Sequence, residues 1–141
     1  MLINTSVQSS YQLKRIRLVE AMFKFPVEFP LDNISTQIKS TSTVVGVDII
    51  CRLRVALNQI NEGNEFKIEI EMEGSFEKKG EDTLSDNEFR NISAPSIIYP
   101  YIRQQVRYLS LEATINPIIL PVINFQAYYQ ANIAPQNNTD Q

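Results

Sequence analysis

Between Ile49 and Phe76 the chain alternates apolar and polar residues with almost no interruption. Ile49, Cys51, Leu53, Val55 and Leu57, preceded by Val45 and Val47, fall on one parity, and Asp48, Arg52, Arg54 and Asn58 fall on the other. A period of two is that of a strand whose faces meet different surroundings, so this run predicts a strand with one dry face. The segment NQINEGN (58–64) supplies a Gly-containing turn, after which Phe66, Ile68, Ile70, Met72 and Phe76 alternate with Glu65, Lys67, Glu69, Glu71 and Glu73. Together the runs predict a long hairpin with an apolar underside and a charged upper side. Gly74 interrupts the second run, which predicts a bulge or bend.

Upstream, YQLKRIRLVEAMFKF (11–25) carries apolar residues on both parities and reads as a strand partly covered on both faces, ended by Pro26. Pro26 and Pro30 bracket Val27, Glu28 and Phe29 in a rigid, non-helical crossing whose aromatic has no strand partner. Residues 34–43, rich in Ser, Thr and β-branched side chains, predict a second strand at a sheet edge. Downstream, 78–91 is the most charged and irregular stretch and reads as a surface connector. Ser93 ahead of Pro95 predicts a helix start, with Pro100 either in the first turn or kinking the helix. Ile98, Ile102, Val106 and Leu109 keep helical spacing and predict one buried stripe. Pro117 and Pro121 forbid regular helix through an apolar loop, and a last short helix begins near Asn124 and is stopped by Pro135. Strands first and helices afterwards define an α+β domain with an antiparallel sheet. The expected organisation is a polar start (1–10), a single domain (11–133) and a polar tail (134–141).

Composition narrows the function. At 141 residues with 43% hydrophobic and 21% charged residues, the chain has the size and balance of one folded domain. A net charge of −3 argues against nucleic acid and for a basic protein partner. No signal-like apolar segment and no membrane-length run is visible, so the expected location is the cytoplasm, without membrane insertion. The absence of histidine and the single Cys51, placed within an apolar alternation, leave neither a common general base nor a zinc site, and the glycines form no phosphate-binding loop. No enzyme activity, metal or other cofactor is expected. Apolar residues held by prolines outside regular elements are the surplus: Phe29 and Leu31 in the crossing, and Ile118 to Phe125 in the loop. Such residues either plug the core or line a groove for extended apolar chains.

The segment SAPSIIYPYIRQQVRYLSLEATINPIILPVINFQAYYQ (93–130), with its Tyr-Pro-Tyr, basic-polar helix and Pro121-Val122-Ile123-Asn124-Phe125 run, resembles the helical half of the SecB protein-export chaperone family. Tyr11, Gln12, Leu13, Arg15 and Ile16 resemble the family's first strand. The resemblance implies a four-stranded antiparallel sheet with two C-terminal helices, assembled as a homotetrameric dimer of dimers. It further implies an ATP-independent holdase that keeps unfolded or slowly folding precursor proteins export-competent for the SecA motor of the Sec translocase. The implied client groove comprises Phe29, Leu31 and Ile34 on one wall and Ile119, Leu120, Val122, Ile123, Phe125 and Tyr128 on the other. The implied SecA-docking face holds Glu20, Glu69 and Glu71, and the implied tetramer interface Ile98, Ile102, Val106 and Leu109. Lys24 and Lys67 depart from the family pattern, which has an acidic and an aliphatic residue there, and the tail APQNNTDQ is nearly uncharged. Two other readings remain open: a SecB-like chaperone dedicated to one client, such as an antitoxin, and an oligomeric carrier of small apolar ligands.

Overall fold

The sheet is a four-stranded antiparallel array in the order β1-β4-β3-β2, formed by β1 (Tyr11–Lys24), β2 (Ser35–Val45), β3 (Asp48–Asn61) and β4 (Asn64–Lys78). The structure, a computed structural model, describes residues 10–80, 86–113 and 115–132. Most of the polar start and all of the polar tail lie outside the described residues.

The β3–β4 alternation places Ile49, Cys51, Leu53, Val55 and Leu57 beside Phe66, Ile68, Ile70 and Phe76, all buried. The two strands meet in a two-residue turn, Glu62-Gly63, in which both residues have positive φ (52° and 81°), the type I′ geometry that matches strand twist. The β2–β3 connection is equally tight. Val45 pairs with Asp48 across Gly46-Val47, and Gly46 has φ 64°. Val45 and Val47, expected on the dry face of β3, are instead 59% and 63% exposed at the hairpin end. The apolar parity persists through them, but the chain reverses at Gly46.

Gly74 does not break β4. It lies within the continuous strand, and a Cβ there would stand 3.0 Å from the Phe76 ring and 3.1 Å from Ile98, so its smallness makes room for the helix above. The irregularities fall on β1, where the register slips between Leu13 and Arg15 and again between Leu18 and Glu20. Each bulge shifts the side-chain parity by one. Tyr11, Leu13, Ile16, Leu18, Ala21 and Phe23 consequently share the helix-side face, which accounts for the mixed parity of this segment.

Helical structure begins earlier than Ser93. A turn α1 (Asp86–Glu88) runs through a π-helical turn (Phe89–Ser93) into α2 (Ala94–Glu112), so residues 86–91 of the expected connector are helical. Phe89 anchors it, buried and stacked on Tyr11 with ring centroids 3.9 Å apart, while the Tyr11 hydroxyl donates to Asp86. Pro100 lies inside α2 rather than in its first turn. The helix packs on β4 and β3 through Ile98, Ile102 and Val106, each fully buried, with Leu109 half-buried behind them. Of the residues expected at a subunit interface, Ile98, Ile102 and Val106 are therefore covered by their own sheet in the folded chain, and only Leu109 keeps some open surface. A different stripe of α2 is open. Ile97, Tyr101, Gln104, Tyr108 and Leu111 recur at alternating spacings of four and three, and the four apolar members are 39–57% exposed.

Candidate functional site

The crossing between β1 and β2 is tied to the core by an aromatic chain. Phe66 meets Phe25 edge-to-face at 5.4 Å, and Phe25 meets Phe29 at 5.4 Å in the same geometry. Pro26 and Pro30 keep the backbone between them out of helix, so Phe25 and Phe29 remain half-buried at the surface, and Val27 exposed, rather than joining a strand.

The loop after α2 returns beside this crossing. Its path is set by buried Ser110, whose hydroxyl donates to the Val106 carbonyl (2.8 Å) and accepts from the Ile118 N–H (3.2 Å). Between crossing and loop lies a hollow of about 470 Å³, lined chiefly by Phe25, Phe29, Leu31, Ile34, Pro117 and Ile118. A second hollow of about 290 Å³, beside Pro100, Arg103 and Arg107, shares Ile118 and continues past Ile119. Ile118 lines both, so the two open hollows adjoin at this residue. A larger hollow of about 890 Å³ beside Tyr128 has mixed walls that include Lys39, Arg54, Glu65 and Glu69.

The residues expected in the groove separate into layers. Phe29, Leu31 and Ile34 line the first hollow, and Ile119, 72% exposed, lines the second. Val122 is 85% exposed and Ile123 is half-buried against the core. Leu120 and Phe125 are core residues, each 3% exposed, with Leu120 also forming part of the floor of the second hollow. The reason is local. Asn124 caps α3 (Phe125–Asn132) by accepting the Ala127 N–H at 3.1 Å, which turns Phe125 inward against Tyr99, while the Tyr99 hydroxyl donates to the Pro121 carbonyl (2.7 Å). Tyr128 donates to the Ile38 carbonyl (2.7 Å) and so covers part of the free edge of β2 rather than the hollow at Phe29. Ile115, Pro117 and Ile118 also line the first hollow and lay outside the expected wall; isoleucines close to a proline in a loop were their signal in sequence.

The wet face of the sheet is a ladder of ion pairs. Arg54 contacts Glu20 (2.6 Å), Glu71 (3.1 Å) and Glu69, and Glu69 also takes Lys67 (3.0 Å). Glu73, 5% exposed, accepts from Arg17 and Arg52, both at 2.9 Å. These donors hold the Glu69 and Glu73 carboxyls below the ordinary carboxylate range, through Arg54 and Lys67 for the first and chiefly Arg17 for the second. Cys51, in the core, has its thiol pushed up to about 11 by burial, the opposite of what a nucleophile needs. Among the described residues no group of three or more His, Cys, Asp or Glu is arranged to hold a metal ion, and no helix is long and apolar enough to cross a membrane.

A chain with this fold, an open antiparallel sheet backed by one long helix, has known relatives. The family profile of the preprotein translocase subunit SecB matches residues 24–136. The chain is 27% identical over 128 residues to the protein-export protein SecB of Albidiferax ferrireducens, covering 85% of this chain and 83% of that protein. It is likewise 27% identical over 128 residues to that of Acidovorax sp. strain JS42, covering 85% of each. Among solved structures, the fold matches the Mycobacterium tuberculosis SecB-like chaperone in complex with a ChAD peptide from the HigA1 antitoxin, with a TM-score of 0.65 and 16% identity over 80% of this chain and 87% of that one. The chain belongs to the SecB family of protein-export chaperones, whose members are chaperones and not enzymes.

Proposed function

We propose that this chain is an ATP-independent holdase that binds unfolded or slowly folding precursor polypeptides along the channel through Phe29, Leu31, Ile34, Ile118 and Ile119 and keeps them export-competent in the cytoplasm. The observation that supports this reading is the pair of adjoining hollows that would form the channel: apolar side chains from two proline-locked loops left open to water, with Ile118 lining both. Apolar contacts at about 25 cal/mol per Å² are sequence-tolerant, and binding the unfolded chain in preference to the folded one shifts folding by mass action. The test is aggregation of a reduced, unfolded protein without nucleotide. The chain should suppress it at near-stoichiometric amounts; undiminished aggregation at several-fold excess would refute the holdase.

The active species is a homotetramer, a dimer of dimers, joined in part through the Ile97–Tyr101–Gln104–Tyr108–Leu111 stripe. Alternating spacing of four and three is the seam of helix-on-helix packing, and an exposed apolar stripe of this length favours a second copy. SecA is a weak partner. Glu20, Glu69 and Glu71 all contact Arg54, so the acidic face offers a basic partner little uncompensated charge. That neutralisation favours a second reading, a chaperone dedicated to one client such as an antitoxin. Comparing client range in pull-downs with unfolded precursors and with an antitoxin from the same cell separates the two.

A further inference from the structure

The core-face alternation of β3 does not end at Leu57. It continues to Gln59, which pairs with Phe66 on β4 and is only 8% exposed, a polar residue at an apolar position. A buried amide must find partners, and those of Gln59 come from one place. Its Nε2 donates to the Pro30 carbonyl (2.9 Å) and to the Asp32 carboxylate (3.3 Å), and its Oε1 accepts the Asn33 N–H (3.1 Å). The clamped segment holds Leu31 between these contacts, and Phe29 and Ile34 adjoin it directly. Among the described residues, no backbone–backbone hydrogen bond outside the helices and strands involves residues 25–34. The polar hold on this lip therefore comes largely from one side chain on the rigid sheet.

We propose that Gln59 is a positioning residue for client binding, fixing the lip so that Phe29, Leu31 and Ile34 face the channel before a client arrives. This rests on the holdase reading of the channel. A lip ordered in advance spares the client the cost of ordering it, and if release of the clamp leaves the competent arrangement populated about one-tenth of the time, apparent affinity falls about tenfold.

The experiment uses the full chain, comparing wild type with Gln59→Leu, which keeps volume without hydrogen bonds, and Gln59→Glu, which keeps shape but puts an acceptor against the Pro30 carbonyl and Asp32. Two readouts are taken: amide hydrogen exchange and the amide proton shift of Asn33 in the client-free protein, and the Kd for reduced, carboxymethylated lactalbumin. The expected result in either folded variant is Asn33 exchange about tenfold faster, with Val55 and Ile70 amides unchanged, and a Kd about tenfold weaker. Unchanged Asn33 exchange overturns the clamp. Faster exchange with a Kd within about twofold of wild type overturns the positioning role. Wild-type protein that binds no probe sinks the holdase reading and this proposal with it, a result distinct from wild-type binding that the variants leave intact.

Discussion

Ile119 and Leu120 are adjacent in the chain and opposite in role, and the pair separates groove from core. Leu120 is 3% exposed beneath the loop, so Leu120→Ala leaves a cavity in a packed interior and should cost about 2–5 kcal/mol of stability. For a domain of this size, that lowers the thermal midpoint by roughly 7–17 °C. Ile119 is 72% exposed, so Ile119→Ser should change stability by less than about 0.5 kcal/mol. A client covering it would lose most of one isoleucine burial, about 1.5 kcal/mol, or roughly tenfold in Kd. Thermal melting by circular dichroism and titration with a fluorescent unfolded peptide give the two numbers for each variant. The reasoning is refuted if Ile119→Ser melts as low as Leu120→Ala, or if Leu120→Ala keeps its midpoint and loses client binding.

Other expectations follow from the same structure. Tyr101→Asp with Tyr108→Asp places charge in the open stripe of α2 and should reduce the mass in light scattering from about four chains to two or one, with the circular dichroism spectrum retained; an unchanged mass places the contact elsewhere. Arg54→Gln removes the cation shared by Glu20, Glu69 and Glu71, leaving Glu69 with Lys67 and Glu71 with Arg52, and should strengthen binding to the SecA of the same cell several-fold at low salt, with a steeper salt dependence; unchanged affinity would clear this face of any docking role. Glu69 and Glu73 have folded-state pKa values below the ordinary 4.5, so their stabilisation is complete above that value and is lost as pH falls through the lower, folded values. Wild-type melting should therefore fall in acid, and Glu73→Gln should melt lower at pH 7 with a shallower acid fall; parallel acid limbs would contradict the sign.

The pattern of β3 and β4 was legible in sequence because one face is dry and the other wet, the condition under which a period of two survives. β1 was legible as a strand but not in phase, since two bulges each shift parity and no single-residue signal marks Lys14 or Val19 as the extra residue. Gly46 was concealed by Val44, Val45 and Val47, which favour strand even where the chain reverses. In α2 the stripe of Ile98, Ile102, Val106 and Leu109 announced burial but not what buries it; periodicity identifies an apolar face and is silent about the partner. The open stripe carries little signal in sequence because tyrosines are amphipathic and Gln104 interrupts it. Composition also could not divide the proline-rich loop into Leu120 and Phe125 beneath and Ile118 and Ile119 above, because that division depends on the Asn124 cap and the Tyr99 hydrogen bond. Gln59 did carry a signal: a polar residue in register with five apolar ones.

The central claim is that an unfolded chain lies along the channel from the crossing to Ile119. Amide hydrogen exchange of the protein with and without a saturating unfolded, reduced client tests it most directly, read by peptide segment. Protection should appear in residues 25–34 and 115–119, with the wet-face strands unchanged. Client binding that instead protects β3 and β4 on the charged face, and leaves both loop segments exchanging as in the free protein, would contradict it.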